Sequence, residues 1–218
     1  MNTAQIQQPT ALRIIAKIFS YLFHPLFVPT YIFLWMMLRF PYEFAGITIK
    51  VLNLRLFGVF WFTAFFPALS VFLLWRLKFI PNIFLHTTKE RIIPYVITMF
   101  FYWWMWYLSR DKTFADQPEA LRFFYLGIFF TTVPGLILNN FVKISMHAMA
   151  IGVAVACMIL TSRFYAIYLG LDIILVMLVG GMTLTSRLIL SEHTNAEMYL
   201  GVVVGVFCQV LAYWITMN

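Results

Sequence analysis

Charge is what this sequence has least of. Only 11% of its 218 residues are Asp, Glu, Lys or Arg, whereas 63% are hydrophobic and 19% aromatic. A soluble domain needs far more polar surface to cover its core, so water-soluble classes are excluded. Acidic residues are scarcest, eight against fifteen Lys and Arg, which leaves a net charge of +7. In a soluble protein that excess would suggest nucleic acid. Here the bases sit singly in short connections, where anionic lipid headgroups are the expected partners and nucleic acid is not. The two cysteines, Cys157 and Cys208, lie inside apolar stretches, read as small hydrophobes and supply no disulfide framework. No repeat or low-complexity tract is evident, and the longest polar linker, Ser109 to Glu119, is too short to be a domain, so residues 1–218 read as one unit. Met1 to Pro9 lacks the basic start and small-residue cleavage site of a secretory signal, and the first apolar stretch is expected to stay in the protein.

What the chain does have is a succession of apolar stretches of about 17 to 22 residues, each able to cross roughly 30 Å of hydrocarbon as a helix. The expected fold class is all-α, a polytopic transmembrane helical bundle with six or seven spans. After a polar, then amphipathic lead over residues 1–20, with Arg13 and Lys17 among apolar side chains, the expected spans are Tyr21 to Leu38, Leu56 to Trp75, Ile92 to Leu108, Leu121 to Leu138, Ser145 to Leu160, Phe164 to Thr185 and Glu197 to Thr216. Pro25 and Pro29 kink the first of these, which is why six is the alternative count. Trp103, Trp104, Trp106 and Tyr107 read as an interfacial aromatic belt.

Three polar clusters interrupt this pattern: His86 to Arg91, Lys143 to His147, and Ser186 to Glu197. Each consecutive pair is separated by two crossings. An even number returns the chain to the same face, so all three can converge on one composite site. Outside the clusters that face keeps Arg13, Lys17, Arg76 and Lys78, and the opposite face holds Arg39, Lys50, Arg55, Arg110, Lys112, Arg122 and Arg163. The positive-inside rule then makes the opposite face cytoplasmic and turns the clusters outward.

The residue types in the clusters suit phosphate chemistry. His193 and Glu197, four apart, share a helical face, so the carboxylate can hold one imidazole nitrogen while the other addresses a substrate as nucleophile or base. Thr194 and Glu197 also have capping-box spacing, a structural role compatible with the first. Arg187 brings a planar guanidinium to the same helix start. In Lys143-Ile144-Ser145-Met146-His147, Ser145 is placed to cap a helix whose free amides favour an anion, with His147 beside it. Lys89 and Arg91 add cationic contacts, and Pro94 is placed in an early helical turn. His86 is the weakest candidate of the four histidines apart from His24, which reads as structural.

These residues resemble the pattern of the type 2 phosphatidic acid phosphatase (PAP2) superfamily: Lys, six residues, Arg-Pro; then Pro-Ser-Gly-His; then Ser-Arg, five residues, His, three residues, Asp. Ser186, Arg187 and His193 match the third element, with Glu197 in place of Asp. Ser145 and His147 match the second in part, with Ile144 and Met146 replacing Pro and Gly. In the first, Arg91 and Pro94 are separated by two residues, Phe84 stands where the lysine belongs, and Lys89 is the substitute from another turn. The likeness covers residues 87–205. It implies that His193 attacks phosphorus to form a phosphohistidine, that Glu197 orients it, and that His147 protonates the leaving oxygen. Arg91, Lys89, Ser145, Lys143 and Arg187 would surround the phosphoryl oxygens. The implied mechanism needs no metal or other cofactor. The implied substrates are lipid phosphates, among them phosphatidic acid, phosphatidylglycerophosphate, polyprenyl pyrophosphates and phosphorylated lipid A, which places the protein in a bacterial inner membrane with the site facing the periplasm.

Other readings compete. A non-catalytic PAP2-like lipid-binding, transport or assembly subunit draws support from Asp172, read as a carboxylate inside the sixth span, and from Met146, which replaces a glycine that lets backbone approach phosphate. His147 and His193 at successive helix starts also suit haem ligation, although the neighbouring bases suit phosphate better. A membrane prenyltransferase needs paired aspartate-rich motifs that Asp111 and Asp116 do not supply. The fifth span, at about sixteen residues, is short for a full crossing and suggests a site sunk below the headgroup plane.

Overall fold

The computed structural model describes residues 8–83, 85, 87–110 and 117–218, and within them every regular element is helical. The order is α1 (Thr10–Leu22), α2 (Val28–Arg39), α3 (Ile49–Phe60), α4 (Phe66–Arg76), α5 (Thr88–Arg110), α6 (Glu119–Asn139), α7 (Met146–Phe164), α8 (Gly170–Ile189) and α9 (Asn195–Met217). Among the described residues six segments are long and apolar enough to cross a membrane: Thr10–Arg39, Ile49–Arg76, and each of α6, α7, α8 and α9. The 23-residue α5, charged at both ends and rich in tryptophan and tyrosine between them, is a further long helix of the bundle. The chain is a polytopic helical membrane protein.

Two of these segments are compound, for local reasons. Between α1 and α2 the helix breaks at His24-Pro25: Pro25 opens a single tight turn, Pro25–Phe27, and His24 caps it by accepting the Leu26 amide on Nδ1 at 3.3 Å. The expected span from Tyr21 is therefore the second half of a broken helix that already begins at Thr10. The amphipathic lead is its first half, and α1 packs on α8. Between α3 and α4 a widened turn, Trp61–Phe65, joins two helices into one, next to Pro67, which cannot donate to the ladder.

The centre of the bundle is α6. Leu121 and Phe123 to Ile128 are all buried, so this helix is enclosed by α5, α7 and α9 rather than presenting one face. α7 and α9 approach each other through glycine. A Cβ on Gly205 would stand 2.2 Å from the Met149 carbonyl oxygen, and one on Gly152 would stand 2.4 Å from that of Val202. Side chains cannot fit between backbones at that distance, so the two helix starts are locked in register.

The helix ends correct three expectations. The fifth span is the 19-residue α7, about 28 Å long, so shortness no longer argues for a sunken site. The sixth begins at Gly170 rather than Phe164, which puts Asp172 in its first turn and not in mid-membrane. There Asp172 accepts the Trp35 indole N–H at 2.9 Å and pairs with Arg39 at 3.3 Å, a structural clasp between α2 and α8. Pro94 lies nearly two turns inside α5, where it releases the Glu90 carbonyl from the ladder. The tryptophan-rich end of α5 stacks Trp103 on Tyr107 and sets Arg110 4.9 Å from the Trp106 ring, at the end opposite Arg91.

Candidate active site

Three helices, α5, α7 and α9, begin at one pole of the bundle, and α6 and α8 end there. The joins are polar. Asn139 at the end of α6 donates to the Thr88 carbonyl at the start of α5 (2.7 Å), and Arg91 of α5 reaches the Ile144 carbonyl just before α7 (3.4 Å). The Nδ1 of His193 lies 3.1 Å from the Lys143 carbonyl, which ties the start of α9 to that of α7. The three expected clusters thus meet. Helix starts carry unpaired amides and the positive end of the dipole, so their convergence favours an anion.

His193 lies in the connection between α8 and α9. Its Nδ1 faces two acceptors, the Lys143 carbonyl and the Glu197 Oε2, each at 3.1 Å. The Lys143 carbonyl can only accept. The proton therefore sits on Nδ1, and Nε2 is left with its lone pair. The same Glu197 oxygen accepts the Thr194 amide at 3.0 Å while the Thr194 hydroxyl accepts the Glu197 amide, so the capping box and the orienting contact coexist on one carboxylate. Burial pushes the His193 pKa below its ordinary value. Arg91 and Arg187 depress it further, against the opposing Glu197 hydrogen bond and charge. At neutral pH this is a neutral, oriented imidazole.

Both arginines are anchored by the fold. Arg91, 4% exposed, donates from Nε to the Leu85 carbonyl at 2.9 Å. Arg187 donates from Nη1 to the Ser20 hydroxyl at 2.7 Å, while its Nε is buried with no hydrogen-bond partner among the described residues. A carboxylate that sequence reasoning did not single out, Glu192, lies 3.7 Å from Arg187 and 3.9 Å from Lys143. The loop that carries it turns through Ser191 at a φ of 55°, and Leu85, whose carbonyl holds Arg91, has a φ of 52°. Left-handed backbone at non-glycine residues is strained, and these two, of four such residues among those described, sit next to site residues.

His147, on the first turn of α7, is buried and makes its contacts with α1. Its Nε2 is 3.0 Å from the Ser20 carbonyl, and its ring meets that of His24 edge-on at 5.3 Å. Ser145 caps α7 by accepting the Ala148 amide at 3.3 Å and is fully buried. Lys89 is exposed, and among the described residues no hydrogen bond or ion pair joins it to the cluster. His86 and Phe84 lie outside the described residues. No group of three or more His, Cys, Asp and Glu side chains suited to a metal ion occurs among the described residues.

Sequence reasoning missed Ser20 and gave His24 only a structural role. A serine in an amphipathic helix 127 residues before His147 carries no signal of partnership. The one hint was that an apolar stretch broke at His24-Pro25 next to it. Comparison of the chain with protein-family models, with curated proteins and with solved structures finds no match to any of them.

Proposed function

We propose that this protein is a metal-independent lipid-phosphate phosphatase of the PAP2 kind, working through a phosphohistidine. The observation that carries the reading is His193, whose Nδ1 is held by two acceptors and whose Nε2 is thereby made a nucleophile, in the field of the buried Arg91 and the half-buried Arg187. Nε2 attacks phosphorus and the N–P bond forms as the P–O bond to the leaving group breaks. The leaving oxygen takes the Nδ1 proton of His147, which enters this step protonated on both nitrogens because its Nε2–H stays on the Ser20 carbonyl. A water then attacks the phosphohistidine and gives its proton to His147, which releases inorganic phosphate and restores His193 with its lone pair. Arg91, Arg187 and Lys143 face the charge that builds on the phosphoryl oxygens, and Glu197 stabilises the positive imidazole of the intermediate.

A lipid is the substrate that suits a charged pole on an apolar bundle. Its phosphate meets the bases while its chains remain in hydrocarbon. An apolar groove of about 270 Å³ between α2, α7 and α8 runs from Phe23, the neighbour of His24, to Trp35 and Asp172 and offers room for such a chain. The excess of bases on the opposite face supports a bacterial inner membrane with the pole in the periplasm.

The test is phosphate release by purified protein in detergent micelles, with chelator present, from phosphatidic acid, phosphatidylglycerophosphate and undecaprenyl pyrophosphate. Release that resists chelator and disappears in His193→Ala is the expected result. Folded protein that releases nothing from any of the three would instead make it a non-hydrolytic lipid-binding relative. Glu192 bridging Arg187 and Lys143 is the observation that favours this second reading, because it already occupies two of the bases.

A further inference from the structure

Many of the hydroxyls on the described helices of this protein are satisfied on the preceding turn of their own helix. Thr63, Ser70, Thr131, Thr183, Thr185, Ser186 and Thr216 each return the hydroxyl proton to the carbonyl four residues earlier, at 2.7 to 2.8 Å. This is the ordinary way for a hydroxyl in an apolar helix to satisfy itself. Ser20, in the last turn of α1 and only 4% exposed, makes no such bond to Ala16 among the described residues. Its side chain faces the pole instead.

There its partners are all donors. Arg187 Nη1 donates to the Ser20 oxygen at 2.7 Å. His147 Nε2 lies 3.0 Å from the Ser20 carbonyl, which can only accept, so Nε2 carries a proton and the 3.4 Å approach of Nε2 to the Ser20 hydroxyl is also a donor facing an oxygen. A hydroxyl has two acceptor sites and one proton. With both acceptor sites turned to Arg187 and His147, the hydroxyl proton has no acceptor among the described residues.

We propose that Ser20 is a phosphate ligand of this pole: its hydroxyl, oriented by Arg187, donates to a phosphoryl oxygen, and its carbonyl fixes His147 so that proton transfer runs through Nδ1. α1 thereby supplies a wall of the site from outside the three sequence clusters. Ser20 has this role only if a phosphoryl group occupies the pole, the reading proposed above. The arrangement parallels His193, where the protein also holds one ring nitrogen by acceptors and leaves the other to the substrate.

The experiment measures binding separately from turnover. Inorganic phosphate is titrated into the full-length protein in micelles by calorimetry, for wild type, Ser20→Ala, Ser20→Cys and Ser20→Thr, with Ser70→Ala as a helical hydroxyl removed elsewhere. Losing one hydrogen bond to an anion should weaken phosphate binding about tenfold in Ser20→Ala. Ser20→Cys, with a weak donor of similar size, should fall between, Ser20→Thr should recover most of the affinity, and Ser70→Ala should match wild type. Ser20→Cys keeps the test available should the alanine variant not fold. Unchanged affinity in folded Ser20→Ala or Ser20→Cys overturns the assignment. Wild type that binds phosphate normally but has no His193-dependent release overturns the phosphatase reading and leaves Ser20 standing. Wild type that binds no phosphate overturns both.

Discussion

Glu197 and His193 are joined by a 3.1 Å contact between Oε2 and Nδ1, and the same oxygen closes the capping box of α9. One carboxylate therefore serves folding and chemistry, and the two services can be separated by substitution. His193→Ala should abolish phosphate release with little change in melting temperature. Glu197→Ala should lose release and also about 1 kcal/mol of stability, the usual worth of a cap. Phosphate release and thermal melting measured on both variants check this, and equal melting of the two would remove the capping contribution.

The acid side of the pH–rate profile reports His193. Burial lowers its pKa from the ordinary 6.5, so the nucleophilic free base persists below that pH and the acid limb should have its midpoint under 6.5. Glu197 is one of the contributions that raise this pKa, so Glu197→Gln should move the midpoint to still lower pH while reducing the maximal rate. Stability follows the same group. The folded state binds fewer protons than the unfolded state between the lowered pKa and 6.5, so this contribution is fully present above about pH 6.5 and is lost as pH falls through that window. An acid limb above 6.5 would contradict the neutral-histidine assignment.

Gly205 cannot carry a side chain without parting α7 from α9, since its Cβ would fall 2.2 Å from the Met149 carbonyl oxygen. Gly205→Val should cost on the order of 3 kcal/mol, at the upper end for overpacking. It should also reduce turnover, because Ser145, His147, His193 and Glu197 all hang on that register. Gly181→Ala on α8, where a Cβ meets nothing within 4 Å, is the matched control and should be close to neutral. Denaturation in mild detergent distinguishes them.

The Asp172 clasp makes an opposite forecast. Asp172 and Arg187 are fifteen residues apart on α8, about 22 Å along the helix, so the clasp is remote from the pole. Asp172→Asn should leave turnover within about twofold of wild type and lower stability by about 1 kcal/mol, because the amide retains the Trp35 bond but loses the Arg39 charge. A loss of turnover comparable to that of His193→Ala would restore Asp172 to a place in a transport path.

Composition and periodicity carried the helical bundle a long way. Apolar runs of membrane length have few other physical solutions, because every backbone amide must be satisfied within its own segment. The spacing of His193 and Glu197 fixed their contact in advance, since residues four apart on a helix are neighbours whatever surrounds them. The Ser145 cap was legible for the same reason. Lys89 shows where local reasoning fails: beside Arg91 in sequence, it points to solvent while Arg91 turns inward. The end of the fifth span was also misplaced, because Leu160 and Phe164 are equally apolar and only packing decides where α7 stops.

By itself the sequence determined that the chain is a membrane bundle and which ionisable residues interrupt it. Those facts depend on transfer energies and on contacts within a turn of helix. Only the tertiary structure decided that Ser20 closes the pole on Arg187 and His147, that Arg39 and not the membrane interior holds Asp172, and that Lys143 contributes its carbonyl to His193. Each of these joins residues between 50 and 167 positions apart, and such pairings are set by how helices pack, which no local pattern encodes.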